Sequence, residues 1–90
     1  MERETSILRV AGKSSVQAVA GSIVKTVEDN KNVELHSIGA SSISQAVKAI
    51  ATARGILSTK GIDALVKIGF GETEINGEKR TLMKFILVLN

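Results

Sequence analysis

Lys13 stands in a loop, Ala11-Gly12-Lys13-Ser14-Ser15, between a short apolar run and a segment of helical spacing. A cation and hydroxyls at such a point suit phosphate, because the first amides of a helix have no partner within it and its dipole favours an anion there. A second helix start follows at Gly39-Ala40-Ser41-Ser42, where Ser41 or Ser42 can act as the cap. Lys79 and Arg80, just beyond Asn76-Gly77, add further positive charge. The candidate phosphate-contacting set is therefore Lys13, Ser14, Ser15, Ser41, Ser42, Lys79 and Arg80.

Other chemistries are weaker. Gly12-Lys13-Ser14 matches the end of the nucleotide-cradling pattern GxxxxGK[ST], but its first glycine falls on Ile7, and no aspartate follows a later strand to hold magnesium. His36 could serve Ser37 or Ser41 as a general base, yet a lone strand histidine is far more often packed or exposed without such a role. Glu72 and Glu74 share one side of a strand and could pose as a catalytic pair; charged hairpin tips more commonly keep a sheet edge soluble. Arg54 falls in an apolar stripe near a helix end, where it can satisfy terminal carbonyls. Lys48 points away from the core, as a solvated lysine does. No catalytic residue, cofactor or metal-ligand set is assigned, and the chain reads as a non-enzyme.

Composition agrees with a binding role. Ninety residues fit one domain, 1–90, of near-minimal size. So short a chain buries a modest fraction of its surface, and a homodimer or higher homo-oligomer would add stability. Twelve Lys and Arg against nine Asp and Glu leave a charge of +3, a mild basic bias that permits DNA or RNA as a partner. Without Trp or Tyr, base stacking is poorly supplied. The lack of cysteine and the single histidine exclude disulfides, thiol chemistry and the usual zinc spacings. No apolar run approaches the roughly 18 residues of a membrane span, and Met1 to Thr5 alternates charges rather than forming a signal sequence. The expectation is a cytoplasmic protein with no membrane partner.

The elements that must position these residues follow from apolar periodicity. Ser6 to Val10 reads as a strand. Val16, Val19, Ala20, Ile23 and Val27 form a helical stripe, capped by Ser14 or Ser15 and stopped at Asn30. Gly21 lies on its solvent side, either for a close neighbour or as a tolerated weakness. Val33 to Ile38 alternates as a strand, and Ile43, Ala46, Val47, Ile50, Ala53 and Leu57 mark a second helix. Gly55 and Gly61 flank the way to a long hairpin centred on Asn76-Gly77, whose residues suit the positive φ of a type I′ turn.

Counting outward from that turn pairs Ile75 with Glu78 and Phe70 with Met83. Val66, Ile68, Phe70, Met83, Phe85 and Leu87 then share one face, a lid for both helices. The opposite face, Leu65, Lys67, Leu82, Lys84, Ile86 and Val88, stays open as a partner surface or a wet one. The fold class is α+β: a two-layer β-α-β-α-β-β sandwich, with a four-stranded mixed sheet and two helices on one face, where right-handed crossovers place them. Both helix starts and the hairpin tip then share one pole.

Several stretches together resemble the stage V sporulation protein S family, nearly end to end. They are Lys13-Ser14-Ser15 with Val19-Ala20-Gly21, Ile38-Gly39-Ala40, Gln45 to Ala51, Ala53-Arg54-Gly55, Gly61-Ile62-Asp63, and Gly77-Glu78 with Arg80-Thr81. That family belongs to the Alba-like superfamily. The likeness to Alba itself is confined to the first-loop lysine, the glycine turn with Ile43 and Ala46-Val47, and the element order; it implies a fold and, less directly, a function. Alba proteins are small basic dimers that set first-loop lysines and hairpin arms against nucleic acid, and Lys13 matches the loop position. Where they carry arginines around the second-helix turn, this chain has Ser37, Ala40 and Ser41, and Glu72, Glu74 and Glu78 make its arm slightly acidic. The resemblance implies a sporulation-associated protein and supplies no settled biochemical activity; the loop lysine and the helix starts make a protein that contacts DNA or RNA phosphates without strong sequence preference the leading expectation. The alternative is an assembly module in sporulation or development, without nucleic-acid affinity.

Overall fold

The structure, a computed structural model, describes residues 3–90; Met1 and Glu2, where the charged opening segment begins, lie outside the described residues. The order is β1 (Thr5–Val10), α1 (Val16–Glu28), β2 (Asn32–Ser37), α2 (Ala40–Ser58), β3 (Ala64–Ile75) and β4 (Glu78–Leu89). The strands form one mixed sheet in the order β1-β2-β4-β3, with β1 and β2 parallel and β4 antiparallel to both of its neighbours. Both helices lie on one face of it, giving the expected two-layer α+β architecture of the Alba type.

Alternation along the strands turns Val10, Val33, Leu35, Phe85 and Leu87 toward the helices, where all are buried. Helix α1 meets them with Ala20, Ile23, Val24 and Val27, and α2 with Ala46, Ala49, Ala53 and Leu57. Ala20, Ala46, Ala49 and Ala53 are each at most 1% exposed. Methyl groups at these positions let the two helices and the sheet approach closely.

The hairpin register is the one counted from its turn: Ile75 faces Glu78, Phe70 faces Met83 and Ile68 faces Phe85. Asn76 at φ 52° and Gly77 at φ 80° supply the positive dihedrals that a type I′ turn requires. The expected lid is only half realised. Phe85 and Leu87 are buried, but Val66, Ile68 and Phe70 are 37%, 60% and 78% exposed. Strand β4 lies between β2 and β3, which makes β3 an edge. Helix α2 meets β3 at its first residue, Ala64, whose carbonyl accepts from Arg54 Nε at 3.3 Å, and the strand then runs out from beneath the helix.

Helix α2 differs from its expected outline in its start, in the place of Gly55 and in its buried stripe. It begins at Ala40 rather than Ile43, and although it ends at Ser58, one residue past the expected Leu57, Gly55 lies within it rather than at the edge of the connection to the hairpin. Its buried stripe runs through Ser42, Ala46, Ala49, Ala53 and Leu57, while Val47 is 49% exposed. A helix wedged against both a neighbour and a sheet turns its smallest side chains inward, so the stripe is rotated away from the residues of greatest hydrophobicity. The helix closes with Gly61 at φ 78°: the Ile62 amide donates to the Leu57 carbonyl and the Gly61 amide to that of Ser58, a Schellman closure. An ion pair between Lys60 and Glu28 then ties the ends of α2 and α1, and the Lys60 ammonium holds the Glu28 carboxyl below its ordinary 4.5.

Gly21 has no neighbour within 4 Å of where a Cβ would stand, so its presence in α1 is a tolerated weakness rather than a close-packing requirement. Gly21→Ala should raise stability by about 0.5–1 kcal/mol, because alanine loses less backbone freedom in a helix. Thermal unfolding followed by circular dichroism checks this; an unchanged or lower midpoint would mean that the solvent side of α1 is covered by something.

Candidate functional site

The loop after β1 closes on itself. Ser14 donates its amide to the Ala11 carbonyl at 3.0 Å and accepts from the Ala11 amide with its Oγ at 2.9 Å, leaving Lys13 exposed at the apex. Ser15 is the N-cap of α1, with Oγ accepting from the Ala18 amide at 3.2 Å. The hydroxyls of Ser14 and Ser15 are thus engaged locally. No carboxylate among the described residues comes within 4.0 Å of the Lys13 ammonium.

The start of α2 is built differently from the expectation. Its N-cap is Gly39, at φ 89°, with no side-chain cap bond, so neither Ser41 nor Ser42 caps the helix. The glycine reverses the chain directly after β2 and starts the helix early, which carries both serines inside its first turn. Ser42 is 2% exposed and donates to the carbonyls of Ile38 at 2.6 Å and Gly39 at 3.0 Å, so its hydroxyl faces the fold and not a ligand. Ser41 is exposed. Neither α1 nor α2 has an acidic residue in its first turn, so both positive dipole ends lack a carboxylate of their own helix.

These two starts are clamped together. A Cβ on Gly12 would collide with Ser41 Oγ and lie 3.2 Å from Ser41 Cβ, so the loop backbone rests directly on the first turn of α2. One turn further on, Gln45 Nε2 donates to the Ser14 carbonyl at 2.8 Å. Lys13, Ser14, Ser15, Ser41 and two sets of first-turn amides are therefore gathered at one end of the molecule. Gln45 and Gly12 carry this arrangement, and neither was singled out from sequence. The available signals were a long polar side chain one turn into a helix and a glycine beside the loop lysine.

Lys79 and Arg80 stand on the arm rather than in the clamp. Five residue pairs, Gly71 with Leu82 through Ile75 with Glu78, continue the hairpin past the last β2–β4 pair, Ser37 with Met83. At roughly 3.4 Å per residue the arm reaches about 17 Å beyond the sheet. It leaves from the end that carries the helix starts, because β3 runs parallel to β1 and β2. Lys79 lies opposite Glu74, and Arg80 opposite Thr73.

The other candidate chemistries dissolve in the geometry. His36 Nε2 lies 3.0 Å from Glu34 Oε1 on the open face of the sheet, whereas Ser37 is buried on the helix side and donates to the Ser42 carbonyl at 3.4 Å. Base and nucleophile are on opposite faces. Arg54 is not part of the buried stripe: its side chain is 59% exposed, and it seals the α2–β3 turn through the Ala64 carbonyl and Asp63, 3.6 Å away. Lys48 is exposed. No helix among the described residues is long and apolar enough to cross a membrane.

Residues 6–90 match the family model described as Stage V sporulation protein S. The chain belongs to the stage V sporulation protein S family. Among solved structures it is similar to Alba from Thermoplasma volcanium, with a TM-score of 0.60 at 17% identity, covering 94% of this chain and 99% of that one. The shared fold is thereby Alba-like. The stage V sporulation protein S match spans all four strands, both helix starts and the whole arm. It makes the protein a sporulation-associated one.

Gln45→Ala should loosen the clamp without unfolding the domain. Losing one hydrogen bond predicts a stability loss of about 1 kcal/mol. Hydrogen exchange should quicken at Ser14 and Ser15 more than in the core strands. Unchanged exchange there would show that the Gly12–Ser41 contact holds the loop alone.

Proposed function

We propose that the protein binds the sugar-phosphate backbone of DNA or RNA, without strong sequence preference, at the pole formed by Lys13, Ser14, Ser15 and Ser41. The observation that carries this reading is the clamp, which holds a lysine with no carboxylate partner among the described residues beside two helix starts, that of α1 capped by Ser15 and that of α2 without a side-chain cap. Ser15 contributes its backbone amide, Ser14, whose amide and hydroxyl both bond Ala11, fixes the shape of the loop, and Ser42 has no part. Lys79 and Arg80 assist from the arm. The Alba-like fold supports the reading, as does the role that the resemblance implies for the first-loop lysine. Contacts of this kind position a backbone and read no bases. The cytoplasm, where both nucleic acids are met, is the proposed location.

Lys13→Glu tests it. Labelled DNA and RNA, titrated by fluorescence anisotropy from 50 to 200 mM salt, should bind the wild type at low salt and release steeply as salt rises. The variant should bind about tenfold more weakly, with a log-log salt slope shallower by about one. No binding at low salt, or equal binding by the variant, would reject the proposal.

A homodimer is the proposed working form. Val66, Ile68 and Phe70 leave a row of large apolar side chains in water on the helix side of β3, with Val47 exposed on α2. In a domain this small, covering such a row with a second copy removes apolar area from water at about 25 cal/mol per Å2. The opposite sheet face, which carries Leu65, Ile86 and Val88 among Lys67 and Lys84, is the competing place for assembly. Sedimentation of Ile68→Glu beside Ile86→Glu separates them: the first should be monomeric and the second assembled. Assembly without nucleic-acid binding in the wild type would favour the interaction-module reading instead.

A further inference from the structure

The face of the sheet away from the helices has a feature that neither phosphate binding nor dimer formation uses. The register aligns Arg9, His36 and Lys84 in one row across β1, β2 and β4. Glu34 is the carboxylate of that row's surroundings, 3.0 Å from His36 Nε2 and 4.0 Å from Lys84 Nζ. Among the described residues, none of the ion pairs includes Arg9, whose guanidinium has no carboxylate within 4.0 Å.

Between the Arg9 end of this row and the arm lies a half-open cleft of about 510 Å3. Arg9 and His36 line it beside Ile7 and Ile38, and the arm adds Ile75 and Leu82. Thr73 completes the wall. Glu72 and Glu74 also border it, but alternation along β3 sends their carboxylates to the other side of the ribbon from Thr73 and Ile75. The remaining charged groups of the arm are Glu78 and Arg80 on the cleft side and Lys79 on the far side, by the same alternation.

Gly71 gives the cleft its shape. A Cβ there would come within 2.8 Å of Lys84 Cδ and 2.9 Å of Leu82 Cδ1, so both side chains lie flat across the glycine instead of filling the space above it. Leu82, 5% exposed, thereby becomes part of an apolar lining, while Arg9 stands at its edge with no ion pair among the described residues. The volume lies within the roughly 300–1,000 Å3 range of small-molecule sites, which combine apolar walls with a few placed polar groups.

We propose that this cleft binds a small organic anion, its acidic group held by the Arg9 fork beside His36 and its apolar body seated against Ile7, Ile38, Ile75 and Leu82. A planar guanidinium matches a carboxylate, sulfonate or phosphate group in two-pronged fashion, and the apolar walls select ligands with hydrocarbon or aromatic bulk over inorganic ions. The proposal does not rest on nucleic-acid binding, which uses the other side of the same pole.

The probes are 8-anilinonaphthalene-1-sulfonate and N-phenyl-1-naphthylamine, which share the aromatic body and differ in the sulfonate. The wild type should bind the sulfonate with a rise in fluorescence, and amide shifts should change at Ile7, Ile38 and Ile75. Arg9→Gln should raise its Kd about tenfold while leaving N-phenyl-1-naphthylamine unaffected, since a charge-assisted bond is lost and the walls remain. Gly71→Ala should weaken both probes by pushing Leu82 and Lys84 into the space. Equal sulfonate affinity in the wild type and Arg9→Gln, or amide shifts centred on Val66, Ile68 and Phe70, would overturn the assignment. Because Arg9 is exposed and in no ion pair among the described residues, Arg9→Gln is expected to fold, and an unchanged unfolding midpoint verifies that.

Discussion

The packing of α1 against α2 above the sheet is the constraint from which the rest follows. Both helices follow parallel strands, and right-handed crossovers leave them on one face, so their amide ends must point the same way. Alanines at Ala20, Ala46, Ala49 and Ala53 then bring the helices close. Two positive dipole ends placed side by side repel, and neither first turn contains a carboxylate to offset them. The fold holds this pole together with neutral contacts, the Gly12–Ser41 packing and the Gln45–Ser14 hydrogen bond. In the proposed reading, an arriving anion supplies the compensation for that repulsion.

The strands, the element order and the hairpin register were legible in the sequence because each rests on a short-range rule. Asn76-Gly77 fixes a turn through dihedrals, and a fixed turn fixes every cross-strand pair back to Ala64 and Leu89. What was not legible depended on the sheet's strand order. Alternation marks Val66, Ile68 and Phe70 as sharing a face with Phe85, but only the insertion of β4 between β2 and β3 decides that the first three fall outside the helices' cover. The site was half legible for a similar reason. Lys13 and the helix starts follow from local spacing. The burial of Ser42, by contrast, follows from Gly39 starting α2 two residues before the serines could cap it, and the clamp residue Gln45 acts on a carbonyl 31 positions away.

Strand β3 is used differently along its length. At its start Ala64 is buried and bonded to Arg54; in its middle a row of apolar side chains stands in water; at its end it leaves the sheet as half of a two-stranded arm. An isolated ribbon is marginal in water. Here the Asn76-Gly77 turn and the packing of Leu82 and Lys84 over Gly71 hold it. In the proposed reading, the arm's mixed charges, Glu72, Glu74 and Glu78 beside Lys79 and Arg80, make it a poor rival to Lys13 for phosphate. They also discourage edge-to-edge pairing with another sheet.

In the proposed reading, binding and assembly depend on one another. A net charge of +3 and serines at the second helix start give each protomer few cations with which to displace counterions. Affinity for a phosphate backbone scales with the number of such displacements, so a single pole holds nucleic acid weakly at physiological salt. Two poles fixed on one dimer convert the second contact into an intramolecular event, which multiplies affinity without any new side chain. Glycine and serine at the helix starts therefore suit a protein whose hold on nucleic acid is governed by its state of assembly. The exposed row on β3 is then more than a stability device, because the same apolar burial that pairs two copies sets how strongly their poles act together.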